Sequence, residues 1–254
     1  MSAVSKELLT VLGNLQKLPS LSGCLLGGGT NLAIRYNHRK SLDIDLFFPE
    51  IIGRQHYDKI CEEVKSNYGE KVFGMDYPCE IDDQYIFLRF FVQSGDEIIK
   101  VEIMQNMHTH DQAEIIEGNR MMSESDIGLL KLMSSSNRAN HKDIYDLDYI
   151  TDKIPLNQLM TRLKEKEEKY NQSIDRNIFD QDGEKSPTED PQLLLKFDNP
   201  QPYKSNRPSH SETRIDLTEN GRSWMIARSQ WRRKVRAYFS EIGKEFPGIK
   251  PVNQ

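Results

Sequence analysis

The sequence predicts an α+β fold: a small mixed β-sheet backed by helices, then a helical region and an irregular C-terminal extension. Three observations carry this. Glycines 27 to 29 form a turn, and Asp43 follows 14 residues after Gly29 in an apolar run, leaving room for one helix between two strands. Gln84 to Val92 and Glu97 to Met104 are rich in Ile, Val and Phe and flank Ser94-Gly95-Asp96, the pattern of an antiparallel hairpin. From Ser123 onward, apolar residues recur mainly at helical spacing.

In chain order, Leu8, Leu9, Leu12 and Leu15 form the apolar face of an amphipathic first helix. The segment lacks the continuous apolar stretch and small-residue cleavage site of a signal peptide. Gly23 to Leu26 reads as a short strand or turn. Thr30 is placed to cap the next helix, whose buried side would be Leu32, Ala33, Ile34 and Tyr36. Asn37 to Lys40 is a polar turn, and Leu42 to Phe48 is a strand stopped by Pro49. Residues 54 to 68 carry Tyr57, Ile60, Cys61, Val64 and Tyr68 at helical spacing.

Ser123 to Asp126 offer N-caps for a helix through Leu129, Leu130, Leu132 and Met133. A second helix spans Lys142 to Thr151, and Pro155 starts a third that reaches Tyr170. Residues 171 to 220 hold Pro187, Pro191, Pro200, Pro202 and Pro208 and read as an irregular arm. Trp224, Ala227, Trp231, Val235, Tyr238, Phe239 and Ile242 then mark a last helix rich in arginine.

Composition narrows the class. No window approaches eighteen consecutive apolar residues, so no membrane partner is expected. Cys24, Cys61 and Cys79 are odd in number and lack C-x-x-C spacing, against a disulfide framework or zinc site and in favour of the cytoplasm. The formal net charge of -5 is uneven, because residues 222 to 254 hold eight Lys or Arg against two Glu. That basic helix has three readings: contact with RNA phosphates, contact with the acidic surface upstream, or contact with a protein antagonist.

The chemistry centres on Leu26 to Phe48. Asp43 and Asp45 lie one residue apart on a strand and so point to one face, while Ile44 points to the other. Aligned carboxylates without His or Cys nearby form a hard-oxygen site suited to Mg²⁺ or Mn²⁺. A glycine turn lets backbone N–H groups approach a phosphate closely. Glu102 is flanked by Val101 and Ile103. It supplies a third carboxylate only if its strand adjoins that of Asp43. Lys131 sits in an apolar stretch where an ammonium needs an anionic partner, either a triphosphate or a carboxylate such as Asp143. Asp143 and Asp146, three apart, share a helix face. The bland alternatives are solvated acids on an edge strand and a snorkelling lysine.

Together, the run GGT-N-LAIRY-x-HR-x-S-x-DIDLF and the later LLKL…R…KDIYDL resemble the AbiEii/AbiGii toxin family of the DNA polymerase β-type nucleotidyltransferase superfamily. The resemblance covers roughly residues 20 to 152. It implies a nucleotidyltransferase-like sheet, a metal–NTP site and an antitoxin partner. On it, Gly28 and Gly29 match the phosphate-side glycines, Asp43 and Asp45 the metal pair, Lys131 the nucleotide-side lysine, and Asp143 with Asp146 the C-terminal acidic motif. Some members modify the 3′ end of tRNA; others are described as NTP-binding. The proline-rich arm departs from the family's compact helical region, and the basic C-terminal segment matches nothing in it.

The expectation is therefore an Mg²⁺-dependent (or Mn²⁺-dependent) nucleotidyltransferase toxin acting on an RNA, foremost a tRNA 3′ end. Asp43, Asp45 and Glu102 are candidate metal ligands. Gly28, Gly29, Thr30, Arg35, Arg39, Ser41 and Lys131 are candidates for the nucleotide, with Asp143 and Asp146 completing the site. The alternatives are transfer to a small molecule, as antibiotic nucleotidyltransferases do, and nucleotide binding without turnover. Residues 1–120 would form the core, 121–170 a helical region completing the nucleotide site, and 171–254 the arm and basic helix.

Overall fold

Alternation along three strands decides which sheet face becomes core. Ile44 and Leu46, then Leu88, Phe90 and Val92, then Ile99, Val101 and Ile103 are buried. Their neighbours in sequence face the other way, as the two-residue period of a strand demands. A computed structural model describes residues 2–198 and 214–248. They form two compact units. The first is Met1–Ile127 with Lys166–Gly183 and Asp216–Gly221; the second is Gly128–Glu165 with Glu184–Ile215 and Arg222–Gln254.

The first unit is a seven-stranded mixed sheet with three helices, counted among the described residues. In chain order these are α1 (Lys6–Leu15), β1 (Leu25–Leu26), α2 (Gly28–Tyr36), β2 (Asp43–Phe47), α3 (Arg54–Tyr68), β3 (Val72–Glu80), β4 (Ile86–Ser94), β5 (Glu97–Met104), β6 (Glu114–Ile116) and β7 (Asn119–Met121). Across the sheet the order is β3-β4-β5-β2-β1-β7-β6. β2 pairs parallel with β5 and antiparallel with β1. The expected small sheet is thus extended by strands on both sides.

Ser5 caps α1 by accepting from the Leu8 amide at 3.1 Å. The helix buries Leu8, Val11, Leu12 and Leu15 into the core, so Val11 takes the inward position expected for Leu9. Tyr57, Ile60 and Val64 of α3 join the same core. Thr30 does not cap α2. The cap is Gly27, with no side-chain bond, and the helix begins before Thr30 is reached. Thr30 and Asn31 are buried with Leu32 and Ala33, while Ile34 and Tyr36 are only partly covered.

β3 carries two register shifts against β4, between Phe73, Asp76 and Cys79, and it holds Gly74 and Pro78. Such irregularity suits a sheet edge and erases the alternation that would announce a strand. β6 and β7 have three residues each, joined by Glu117 and Gly118, both at positive φ, as a tight hairpin requires.

The second unit is helical. α4 (Glu124–Asn137) enters it at Gly128, followed by α5 (His141–Ile150), α6 (Leu156–Lys169, in this unit as far as Glu165) and α7 (Trp224–Glu241). Gly128 packs closely, since a Cβ there would lie 3.1 Å from Leu159 Cδ2. Within the expected irregular arm, short 3-10 turns form at Ser173–Asp175, Asp180–Asp182 and Pro191–Asp198. Pro200, Pro202 and Pro208 lie outside the described residues. Trp231 is fully buried and donates its indole N–H to the Leu194 carbonyl at 2.9 Å. No described helix is long and apolar enough to cross a membrane.

Candidate active site

The site grows from the meeting of β1 and β2. Their antiparallel register sets Leu25 opposite Phe47 and Leu26 opposite Leu46, so the chain leaves β1 beside Asp45. The Gly27 amide donates to the Asp45 carbonyl at 2.8 Å. Gly28 has φ of 59°, and a Cβ added there would fall 1.8 Å from Asp45 Oδ2. Only glycine allows this carboxylate to lie against the backbone. A Cβ on Gly29 would fall 2.4 Å from Arg39 Nη2. The glycine turn is therefore filled by one acid and one guanidinium.

Two further residues secure the start of β2. The Thr30 hydroxyl donates to the Asp43 carbonyl and lies 2.8 Å from Ser41 Oγ. The Ser41 amide donates to the Ala3 carbonyl at 3.0 Å. Asn37 to Lys40 are held by the strand-like residues before Arg222. Lys40 donates to the Asp216 carbonyl at 2.7 Å, and the Thr218 hydroxyl to that of Asn37 at 2.6 Å. Gly28, Gly29, Thr30, Arg39, Ser41, Asp43 and Asp45 thus share one end of the sheet. Arg35 is committed elsewhere: its guanidinium reaches Asn31 Oδ1 at 2.7 Å, Glu114 at 2.9 Å and the Met122 carbonyl at 2.8 Å.

The parallel pairing of β2 with β5 puts Asp45 opposite Glu102 and Asp43 opposite Lys100. This satisfies the adjacency on which a role for Glu102 depended. Glu102 is nevertheless not offered as a third metal carboxylate. Its Oε1 is 2.9 and 2.8 Å from Arg89 Nε and Nη2, and its Oε2 is 3.2 Å from Lys100 Nζ. Burial raises its pKa, and Lys100 and Arg89 outweigh that, holding the carboxyl below its usual range. Lys100 also stands 3.5 Å from Asp43 Oδ2, on a side chain that is 45% exposed. Lys100 and Arg89 are the charged residues that sequence reading missed. The alternating K-V-E of β5 was visible, but the register that brings it to Asp43 was not.

Mg²⁺ usually takes one or two protein carboxylates and completes its shell with water and substrate phosphates. Asp43 and Asp45, hard donors on one face beside a glycine turn, fit that pattern. Among the described residues, no group of three His, Cys, Asp or Glu converges to hold an ion. Two carboxylates plus phosphate oxygens is the donor set that Asp43 and Asp45 would provide.

In the second unit, Lys131 Nζ lies 2.8 Å from both Asp143 Oδ1 and Asp146 Oδ2. Arg138 Nε reaches Asp143 Oδ2 at 2.8 Å. Asn140 caps α5 by accepting from the Lys142 amide, which helps orient Asp143 in the first turn. Burial opposes the charge on Asp143, but Arg138 and Lys131 prevail and lower its pKa. The anionic partner that Lys131 required is a pair of carboxylates on the next helix.

Three of the five basic residues of α7, Arg228, Arg232 and Lys234, have acidic partners within their own unit. Lys234 contacts Asp148 at 2.8 Å and Asp152 at 2.6 Å, Arg228 contacts Asp198 at 2.8 Å, and Arg232 also pairs with Asp198. Arg222 adds bonds to Asp148 and Asp152, both at 2.7 Å. Of the three readings, contact with acidic residues upstream is the one these geometries realise.

The sheet is mixed, with a glycine turn set against the D-x-D strand β2. The structure resembles MenT4, a nucleotidyltransferase toxin of Mycobacterium tuberculosis, with a TM-score of 0.54 and 17% identity over 93% of this chain and 83% of that one. Residues 10–247 match the model of the AbiEii nucleotidyl transferase toxins of type IV toxin–antitoxin systems, and the chain belongs to that family. It is also 29% identical, over 140 residues, to an uncharacterized protein of Aquifex aeolicus. That match covers 54% of this chain and 63% of the relative's length.

Proposed function

We propose that this chain is a metal-dependent nucleotidyltransferase toxin that transfers a nucleotidyl group from an NTP to RNA, most specifically to a tRNA 3′ end. The observation that carries it is Asp45 seated on Gly28 beside a half-exposed Asp43. Family membership supplies the reaction class.

Asp43 and Asp45 would hold Mg²⁺ or Mn²⁺, which when bound neutralises phosphate charge and favours ionisation of an attacking hydroxyl. The turn at Gly28 and Gly29 brings backbone amides within reach of phosphate oxygens, and Arg39 adds a cation there. Glu102 acts as a positioning residue that restrains Lys100 and Arg89 on the Asp43 face. Thr30 and Ser41 shape the start of β2. Lys131, oriented by Asp143 and Asp146, is the nucleotide-side ammonium. Arg35, tied to Glu114, acts at one remove by fixing α2. In the transfer, the acceptor oxygen bonds to the α-phosphorus and the bond to the bridging oxygen breaks. Pyrophosphate leaves with that electron pair, and the hydroxyl proton passes to solvent or to a carboxylate.

The test is incubation of the full chain with α-labelled NTPs, Mg²⁺ and total tRNA. Wild type is expected to label RNA and Asp43→Ala to lose the signal. Label at background in both, across RNA and small-molecule acceptors, overturns the enzyme reading. Label on a small molecule alone overturns the acceptor. Growth arrest on expression, absent in Asp43→Ala and relieved by a cognate antitoxin, tests the toxin role.

A further inference from the structure

We propose that the outward face of β3, β4 and β5 is the docking surface for the single-stranded 3′ end of the acceptor, with Phe73 and Phe91 as its stacking platform. This rests on the nucleotidyl-transfer reading above.

The register lays two rows across the sheet. Phe73 pairs with Phe91, Phe91 with Lys100, and Lys100 with Asp43. One step along, Asp76 pairs with Arg89, Arg89 with Glu102, and Glu102 with Asp45. Paired residues share a face, so an aromatic pair and two cations stand in line with the two candidate metal carboxylates. With strands about 4.8 Å apart, Phe91 lies roughly 10 Å from Asp43 and Phe73 roughly 14 Å. Such a span suits the last nucleotides of a strand whose terminal hydroxyl reaches the aspartates.

Toward β3 and the β4–β5 turn this face exposes apolar side chains where the opposite face is core. Phe73 is 44% exposed and Ile98 59%, whereas Val92 and Ile99 beside them are buried. The two rings stack at 5.7 Å between centroids and 19° between planes. Gly74, at φ of 59°, leaves room for this, since a Cβ there would stand 2.9 Å from Phe91 Cδ2. Stacking surfaces interleaved with cations bind single strands without needing sequence readout. The charges also favour bases over a long phosphate track, because Lys100 and Arg89 already share Glu102. A duplex cannot present unstacked bases to such a platform.

The experiment uses the full chain and a ten-nucleotide RNA carrying 2-aminopurine next to its 3′ end, without NTP. Anisotropy reports affinity and quenching of 2-aminopurine reports stacking. Phe73→Leu keeps apolar bulk and is expected to weaken binding about tenfold and relieve the quenching, while Phe73→Tyr retains both. With two cations on the face among the described residues, both paired with Glu102, log affinity should fall with log salt at a slope no steeper than roughly -1.4. In turnover, Phe73→Leu should raise the KM for RNA and leave that for NTP. Circular dichroism melting checks folding of the edge strand, and Phe91→Leu gives a second variant. Equal affinity and quenching in wild type and a folded Phe73→Leu overturn the platform, as does loss of a bound protein partner with RNA binding untouched. These results differ from failure of the transfer reading, in which wild type labels no RNA while the binding comparison can still be made.

Discussion

The molecule holds two aspartate pairs whose settings are opposite. Asp43 and Asp45 stand on a strand at the mouth of a glycine turn, with the Asp43 side chain 45% exposed. Asp143 and Asp146 stand on a helix at 2% and 0% side-chain exposure, with Lys131 2.8 Å from each. An exposed carboxylate pair retains coordination sites for a ligand from solution. A buried pair must be neutralised within the protein, because an unpaired ion there costs several kcal/mol. The contrast shows why spacing alone does not assign a role: both pairs are acids on one face, and burial separates a partly exposed pair from one that holds a lysine.

The comparison is broken first by stability. Asp143→Ala strands Lys131 and Arg138 and should cost about 3–5 kcal/mol, whereas Asp43→Ala should leave stability nearly unchanged. Trp224 and Trp231, the chain's two tryptophans, both lie in the helical unit, so their fluorescence during urea unfolding reports on it. Equal losses in the two variants would erase the distinction.

Activity comes next. Asp45→Asn removes the charge of a proposed metal ligand without changing size and should lower transfer at least about 100-fold, while the urea midpoint holds. Gly28→Ala tests the seat of that carboxylate. It forces a side chain into left-handed backbone and against Asp45, which should cost about 1–3 kcal/mol and reduce transfer further than stability. Full activity in Gly28→Ala would show that Asp45 need not sit on the turn.

The smallest effect concerns pH. Burial and then Arg228 lower the pKa of His141, which stacks on Trp224 at 4.3 Å. The unfolded chain therefore takes up this proton more readily than the folded one. Stability should be full above about pH 6.5 and decline as pH falls through that value. Asp143, also held low, adds a further loss only below about pH 4, where the unfolded carboxyl protonates first. Tryptophan-monitored unfolding at stepped pH should show both phases, and His141→Asn should remove only the upper one.

Much of this architecture was legible from local pattern. The 54–68 helix, the 86–104 hairpin and α5 lie within a residue or two of where periodicity and turn residues put them. The convergence of the glycines on Asp43 and Asp45 followed from the room for a single helix between two short strands. Thr30 misled because a serine or threonine before an apolar run resembles a cap, while Gly28, at positive φ, starts the helix two residues earlier. β3, β6 and β7 escaped because bulges and three-residue length remove the alternation by which a strand is recognised.

Amino-acid order alone was enough for the kinds of element, the choice of core-facing side chains, and the chemistry of an acid pair beside a flexible turn. Those are properties of residues near one another in the chain. Only the fold decided that β5 lies beside β2 in parallel register, that Arg89 and Lys100 occupy Glu102, and that α7 spends much of its basic charge on Asp148, Asp152 and Asp198. Each joins groups distant in sequence, and their meeting depends on how whole strands and helices bury their apolar faces together, which no local spacing encodes.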